Sequence, residues 1–196
     1  IGIGGSTPKL TKLGSGAWEK QKLTTKKSVE KVVSYLVENY KNKQRPRGFV
    51  YSGDKELINK VVNGFPYEET QDQTKAIKDV FNDLRNNKPM DRLVYGDVGF
   101  GKTEVAIRAA ILAISSGRVV FFLAPTTVLS DQHYINCVNR LSPAGVNIEL
   151  LSRFKNPTQQ KEILKKYESG EIDLLVGTHR LLSSDVKTDR LGLLIV

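Results

Sequence analysis

The sequence predicts an α/β fold in which helices flank a parallel β-sheet, preceded by a basic helical connector. Two observations lead to this prediction. From residue 92 onward, short apolar runs bounded by turn residues alternate with segments of helical periodicity, the order typical of a parallel sheet with crossover helices. The apolar runs are also continuous, as expected for strands that are buried on both faces.

The first sixty residues differ from the rest in charge and pattern. Residues 1–17 are rich in Gly, Ser, Thr and Lys without periodicity, which predicts a linker or the tail of an upstream domain. Apolar residues spaced along one helical face predict a helix over 18–43, followed by a poorly defined connector to residue 64. Residues 1–60 hold thirteen basic and five acidic residues, and so +8 of the net charge of +9. This charge is typical of a segment that binds a polyanion such as nucleic acid, or of a solvated helix face.

Each remaining element has its own signal. Thr70 and Gln73 fit a capping box, which predicts that a helix begins there. Asn156 and Pro157 give the start signal of a later helix. The predicted strands span residues 92–95, 118–124, 146–151, 172–177 and 191–196, and the predicted helices after residue 95 span 103–115, 127–140 and 157–168.

Length and composition exclude several classes of protein. The 196 residues, 39% hydrophobic and 26% charged, suffice for one sizeable core. No apolar run approaches membrane-spanning length, so we expect no membrane partner. The single cysteine, Cys137, excludes an internal disulfide and a Cys-based zinc site, and it favours a reducing, cytoplasmic compartment. The sequence begins with neither a methionine nor a signal peptide, and we expect it to be a fragment.

The strongest chemical signal is the stretch GDVGFGKT at residues 96–103, which matches G-x-x-x-x-G-K-[ST]. A predicted strand precedes it and a predicted helix follows it, the context that this phosphate-binding loop requires. Its glycines open backbone N–H groups to anionic oxygens, and the helix N-terminus adds partial positive charge. Lys102 would reach the β- and γ-phosphates of a nucleoside triphosphate, and the hydroxyl of Thr103 would bind Mg²⁺. The alternative is a glycine-rich turn that happens to precede a lysine.

Polar side chains follow the predicted strands at their carboxyl ends, where ligands of parallel sheets gather. Thr126 and Thr127 follow one strand, Arg153 another, and Thr178 with His179 a third. On the same edge as a phosphate loop, they could form a row of donors along a nucleic-acid backbone. Each also has an ordinary alternative: the threonines could cap helices, His179 could be a surface hydrogen-bonding residue, and Arg153 could pair with a carboxylate.

Several segments of the chain resemble one known family. They are FPYEETQDQ at 65–73, MDRLVYGDVGFGKTEVA at 90–106, APTTVL at 124–129, ELLSRF at 149–154 and GTHRLL at 177–182. The chain is thereby similar to the bacterial transcription-repair coupling factors, which are superfamily 2 ATP-driven double-stranded DNA translocases related to the fork helicase RecG. The segment PKLTKLGSGAW at 8–18 resembles the stretch after that family's polymerase-interacting domain, which RecG lacks, and so favours the coupling factors.

The resemblance implies an organisation into three parts. Residues 65–196 would form the N-terminal part of a first RecA-like motor lobe of the P-loop type, and residues 18–64 the basic helical connector. Residues 1–17 would be the linker or tail of the upstream polymerase-interacting domain. In the family, the strand that resembles 191–196 runs into an Asp-Glu pair that positions Mg²⁺ and activates water, and a second lobe supplies an arginine for phosphoryl transfer. This sequence stops before both, so we expect an incomplete lobe.

The resemblance also implies roles for individual residues, with ATP and Mg²⁺ as ligands. Phe65 would stack on the adenine and Gln73 would hydrogen-bond to it, while Lys102 and Thr103 would be the catalytic residues. The candidate nucleotide-binding residues are Phe65, Gln73, Gly96, Asp97, Val98, Gly99, Phe100, Gly101, Lys102 and Thr103. The candidate DNA-binding residues are Thr126, Thr127, Thr178 and His179, which match segments that grip the DNA backbone, together with Arg153 on the same edge.

The expected function is the ATP-binding motor segment of a translocase that displaces stalled RNA polymerase and couples transcription to nucleotide excision repair. RNA polymerase and the excision-repair proteins would bind through domains outside this sequence. The intact protein would hydrolyse ATP to move along duplex DNA, whereas these residues alone would bind nucleotide with little or no turnover. Two alternatives stay open: a RecG-like fork-remodelling helicase, and a nucleotide-gated DNA- or protein-binding module without motor activity.

Overall fold

The computed structural model describes residues 16–43, 49–187 and 189–196, and the chain divides into two compact units at residues 45 and 46. The described part of the first unit is helix α1, Gly16–Lys43, which confirms the helix predicted over 18–43. Within it, the hydroxyls of Thr24, Thr25 and Ser28 donate to backbone oxygens four residues earlier. The linker or tail predicted over 1–17 falls almost wholly outside the described residues.

The second unit begins with a helix that the sequence did not predict. Helix α2, Lys55–Asn63, lies in the stretch expected to be a poorly defined connector. Asp54 caps it, since its carboxylate accepts hydrogen bonds from the backbone N–H groups of Glu56 and Leu57. Ile58 and Val61 are buried in the same core as the later helices. The three domain ranges 1–17, 18–64 and 65–196 stay a prediction.

Apart from the strand predicted over residues 92–95, the remaining elements alternate as the sequence predicts, and their predicted boundaries differ by one or two residues at most. Helix α3 starts at the predicted capping box, which is present in both directions between Thr70 and Gln73. The elements after α2 are α3 (Gln71–Leu84), α4 (Lys102–Ser115), β1 (Val119–Leu123), α5 (Thr127–Leu141), β2 (Ile148–Leu151), α6 (Pro157–Ser169), β3 (Leu174–Gly177) and β4 (Leu191–Ile195). Two short 3₁₀ helices, Ser142–Ala144 and His179–Leu182, follow α5 and β3.

The four described strands form one parallel sheet in the order β2-β3-β1-β4. Successive residues of β1 point to opposite faces, and both faces are covered. Val120 and Phe122 pack in a core with α2, α3, α4 and α5, while Val119 and Phe121 pack in a second core with α6. The predicted parallel sheet with flanking helices is confirmed, and its two-sided burial explains the continuous apolar runs.

The strand predicted over residues 92–95 is wrong. These residues form no strand, and Leu93 and Tyr95 are 85% and 90% exposed. A strand needs a hydrogen-bonded neighbour, and this segment pairs with neither edge strand of the described sheet, β2 or β4. Arg92 instead forms ion pairs with Asp79 and Asp83 of α3, which attach the start of the segment to that helix.

Candidate functional site

The phosphate loop lies at the N-terminus of α4. Gly99 and Gly101 both have left-handed backbones, with φ of 85° and 71°, which glycine adopts without a steric penalty. Gly101 is the N-cap residue, so the first N–H groups of α4, which have no acceptor within the helix, face the loop. Residues 116–118 alone separate α4 from β1, so the helix runs back along the strand and begins near the strand's carboxyl end. This is a ready site for an anion.

Lys102 folds over the loop that precedes it. Its ammonium group donates hydrogen bonds to the backbone oxygens of Gly96 and Asp97, each at 2.6 Å. The side chain is otherwise exposed, and both acceptors are neutral. Because phosphate oxygens are charged and accept stronger hydrogen bonds, an incoming triphosphate can replace these two contacts. The loop therefore fits a phosphate chain.

Thr103 occupies the first turn of α4 and is half-buried. Among the described residues, no group of three or more His, Cys, Asp or Glu side chains could hold a metal ion. Mg²⁺ commonly binds through one or two protein ligands with waters and substrate phosphates as the rest. The threonine hydroxyl beside a phosphate loop fits that mode of binding.

Gln73 has a structural role and also contacts the phosphate loop. Its side-chain Oε1 accepts a hydrogen bond from the backbone N–H of Thr70 at 2.9 Å. The backbone N–H of Gln73 donates to Thr70 Oγ1 at 3.2 Å, which completes the capping box. Its Nε2 donates to the backbone oxygen of Phe100 at 3.0 Å. The side chain thus links the start of α3 to the loop, while its contact with adenine stays a prediction.

Phe65 lies in the connection between α2 and α3 and is half-buried. The edge of the Tyr67 ring packs on it, with centroids 5.6 Å apart and planes at 72°. The guanidinium carbons of Arg108 and Arg140 lie 5.9 Å and 5.3 Å from its centroid. Stacking of this ring on adenine also stays a prediction.

A set of ion pairs beside Phe65 was missed from the sequence. Glu104 and Arg108 of α4 are only 6% and 4% exposed, and they pair with each other at 2.7 Å. Arg140 of α5 pairs with Glu104, and Glu69 pairs with Arg108, each also at 2.7 Å. One signal was available: a Glu and an Arg four residues apart interrupt an apolar helix. The other two partners are distant in sequence.

The predicted polar edge of the sheet is present. Leu123 and Leu151, the last residues of β1 and β2, are both in register with Gly177 at the end of β3. Since these three strands are neighbours, the segments that follow them emerge side by side. The structure thereby brings together the segments that carry Thr126, Arg153 and Thr178.

The side chains on this edge differ in what they are free to do. Thr126 caps α5, because its Oγ1 accepts from Leu129 N at 3.3 Å, and Thr127 is half-buried. Thr178 is 8% exposed, whereas His179 beside it is exposed. Arg153 is exposed, lies 5.7 Å from the Phe154 ring, and has no carboxylate partner among the described residues. Exposed His179 and Arg153 are the side chains best placed to reach a phosphate backbone, and their DNA contacts stay predictions.

None of the described helices combines the length and apolar character needed to cross a membrane.

Comparison with known proteins connects this site to a family. The transcription-repair-coupling factor of Staphylococcus aureus strain USA300 is 44% identical over 190 residues, which is 97% of this chain and 16% of that protein. The same factor of Bacillus subtilis strain 168 is 43% identical over 196 residues, which is 100% of this chain and 17% of that protein. The chain therefore spans about one sixth of the length of these relatives, and the resemblance inferred from its motifs is confirmed.

A solved structure supports the fold assignment. The structure of RecG bound to a three-way DNA junction matches with a TM-score of 0.74 and 32% identity, over 80% of this chain and 22% of that one. The family profile of the DEAD/DEAH box helicases matches residues 70–196, a range that holds the capping box, the phosphate loop and the polar edge. The chain belongs to the DEAD/DEAH box helicase family.

Proposed function

We propose that this chain is the ATP-binding motor segment of a double-stranded DNA translocase. In the intact protein it would displace stalled RNA polymerase and couple transcription to nucleotide excision repair. The observation that supports this most is the loop at the start of α4, where left-handed Gly99 and Gly101 and the folded-back Lys102 would form a site for a triphosphate. The names of the relatives, and their similarity over 97–100% of the chain, support the polymerase-linked role.

The nucleotide would bind between the phosphate loop and the segment from Phe65 to Gln73. Lys102 would leave the Gly96 and Asp97 carbonyls and bind the phosphates, and Thr103 would hold Mg²⁺. When bound, Mg²⁺ neutralises charge on the phosphoryl group that is transferred. Gln73 already donates a hydrogen bond to the backbone oxygen of Phe100 in the phosphate loop. This contact supports the proposal that binding of the base at Gln73 and binding of the phosphates at the loop affect each other.

Duplex DNA would lie along the carboxyl edge of β1, β2 and β3. Its phosphates would meet Thr126, Thr127, Arg153, Thr178 and His179. The adjacency of the three strand ends supports one continuous track, and the 32% identity to RecG, whose structure holds a DNA junction, supports DNA as the ligand. Binding through phosphates would weaken as salt rises.

We further propose that these 196 residues alone bind nucleotide with little hydrolysis, and that the intact protein is a cytoplasmic ATP-dependent helicase-type enzyme. The first point is tested on the isolated chain. A steady-state ATPase assay with and without duplex DNA measures it, and DNA-stimulated turnover by the isolated chain would contradict it.

The experiment for the main proposal uses the intact protein and an RNA polymerase stalled on DNA. Lys102→Ala should abolish ATP-dependent displacement because it removes a phosphate ligand from an exposed loop, while Lys161→Ala, an exposed lysine on α6, should not. Undiminished displacement by Lys102→Ala would contradict the proposal.

A second candidate function, remodelling of DNA forks, is favoured by the structural match to RecG. A fork-regression assay on the same variants separates the two functions. ATP-dependent regression without polymerase displacement would favour the fork helicase. Nucleotide binding with neither activity would favour a nucleotide-gated binding module.

A further inference from the structure

Four charged side chains form a cluster beside Phe65. They come from different parts of the fold: the connection before α3, helix α4 and helix α5. Three of them are largely buried, with side-chain exposures of 4% to 15%, and the fourth is 27% exposed. Burying charge is costly unless each group is paired in good geometry, so such a cluster fixes its members firmly. The charged cluster consists of Glu69, Glu104, Arg108 and Arg140.

Glu104 orients both guanidinium groups of the cluster. Its Oε1 accepts from Arg108 Nε and from Arg140 Nη2, both at 2.7 Å, and its Oε2 accepts from Arg140 Nε at 3.2 Å. The contact with Arg140 is thus two-pronged, which sets the plane of that guanidinium as well as its position. Arg140 Nη2 also donates to the backbone oxygen of Val61 at 3.0 Å, at the end of α2.

The two guanidinium groups act on one ring. At 5.3 Å and 5.9 Å from the Phe65 centroid, both are within the range of a cation–π interaction. Phe65 lies in a loop, so no helix or strand fixes it, although its N–H donates to Val62 O at 3.1 Å. The position of the ring therefore depends on side-chain contacts, and Arg140 makes the closer of the two cationic contacts.

We propose that Arg140, oriented by Glu104, is a positioning residue that holds Phe65 in place for the base of the nucleotide. The inference rests on the proposed function, which assigns adenine stacking to Phe65. It divides the site into two parts: the charged cluster and Phe65 set the affinity for the base, whereas residues 96–103 set the affinity for the phosphates. Lysine at position 140 would keep the charge for Glu104 and lose the planar, two-pronged group.

The experiment measures binding of ATP and of inorganic tripolyphosphate, each with Mg²⁺, to the intact protein. Tripolyphosphate reports the phosphate loop alone, because it has no base. Arg140→Lys should weaken ATP binding about three- to tenfold, because lysine loses the two-pronged contact with Glu104 that orients the cation at the Phe65 ring, and should leave tripolyphosphate binding unchanged. Arg85→Lys is the matched control, since Arg85 lies 5.4 Å from the Phe81 ring at the other end of α3. It should change neither affinity.

A double-mutant cycle tests whether Arg140 acts through Phe65. Phe65→Ala should weaken ATP binding by itself, and adding Arg140→Lys should weaken it no further, because the ring to be positioned is already gone. Additive losses, or equal losses for ATP and tripolyphosphate, would overturn the inference. If Arg140→Lys does not fold, Arg140→Gln, which keeps a donor for Val61 O, replaces it with the same expectations.

The outcomes also separate this inference from the proposed function. If Phe65→Ala weakens ATP binding and Arg140→Lys has no effect, the positioning role is wrong and the stacking role of Phe65 stands. If Phe65→Ala has no effect on ATP binding, the stacking role is wrong, and the positioning role falls with it.

Discussion

Substitution of Gly101 by alanine tests the contact between Gln73 and the phosphate loop. Gly101 has a φ of 71°, and a Cβ atom added there would collide with Gln73 Nε2. Gly99 has a similar φ of 85°, but an added Cβ atom would meet nothing within 4 Å. Gly99→Ala is therefore a matched control that has the backbone strain without the collision.

The expected magnitudes follow from these two differences. An L-residue in a left-handed conformation costs about 1–2 kcal/mol, and both variants bear this cost. In Gly101→Ala the Gln73 side chain must also leave Phe100 O, and a lost hydrogen bond adds about 0.5–1.5 kcal/mol. The free energy of unfolding should thus fall by about 1 kcal/mol more for Gly101→Ala than for Gly99→Ala.

Denaturant unfolding without nucleotide measures the difference in unfolding free energy between the two variants. Adding Gln73→Ala to each variant shows whether the contact with Phe100 causes that difference. In the Gly99→Ala protein, Gln73→Ala should lower the unfolding free energy as much as it does in the wild type. In the Gly101→Ala protein it should cost about 1 kcal/mol less, because the contact with Phe100 is already lost. Equal destabilisation by the two alanines, or equal cost of Gln73→Ala in both, would refute the reasoning.

Three further predictions concern single side chains. Gln73→Ala should reduce the preference for ATP over GTP in competition binding. If it lowers thermal stability and leaves that preference unchanged, Gln73 acts only as a helix cap and the predicted contact with adenine is wrong. Burial lowers the pKa of His133, which stacks on Phe122 at 4.5 Å, so the unfolded chain takes up a proton there more readily than the folded one. Stability should therefore fall as the pH drops below the ordinary histidine pKa of about 6.5, and the fall should be smaller in His133→Gln; an unchanged pH profile would contradict this. Burial raises the pKa of Cys137 to about 12. A thiol reagent at pH 8, followed by absorbance, should therefore label Cys137 slowly in the folded protein and quickly in denaturant. Equal labelling rates in the two states would contradict this prediction.

The α/β fold could be predicted because its signals are local. Continuous apolar runs identify buried strands, and the start signals Thr70–Gln73 and Asn156–Pro157 lie where α3 and α6 begin. The strand predicted over 92–95 failed because pairing depends on a neighbour that sequence pattern does not reveal. Helix α2 was missed because its buried face consists of two residues, Ile58 and Val61, in a helix of nine.

The candidate site likewise has one part that the sequence reveals and other parts that only the fold reveals. The phosphate loop is contiguous in sequence and could be identified from its spacing, down to Lys102 and Thr103. The charged cluster could not, because Glu69 and Arg140 are 71 positions apart and join it only through their ion pairs with Arg108 and Glu104 of α4. The fold-back of Lys102 onto Gly96 and Asp97 also depends on a loop conformation that the motif does not specify.

The most direct measurement is calorimetric titration of the intact protein with ATP and Mg²⁺. Wild type and the Lys161→Ala control should bind with the same affinity. Lys102→Ala should bind at least about tenfold more weakly, since a hydrogen bond to a charged group contributes about 1.5–3 kcal/mol. Equal affinity of Lys102→Ala and wild type would contradict the assignment of residues 96–103 as the nucleotide site.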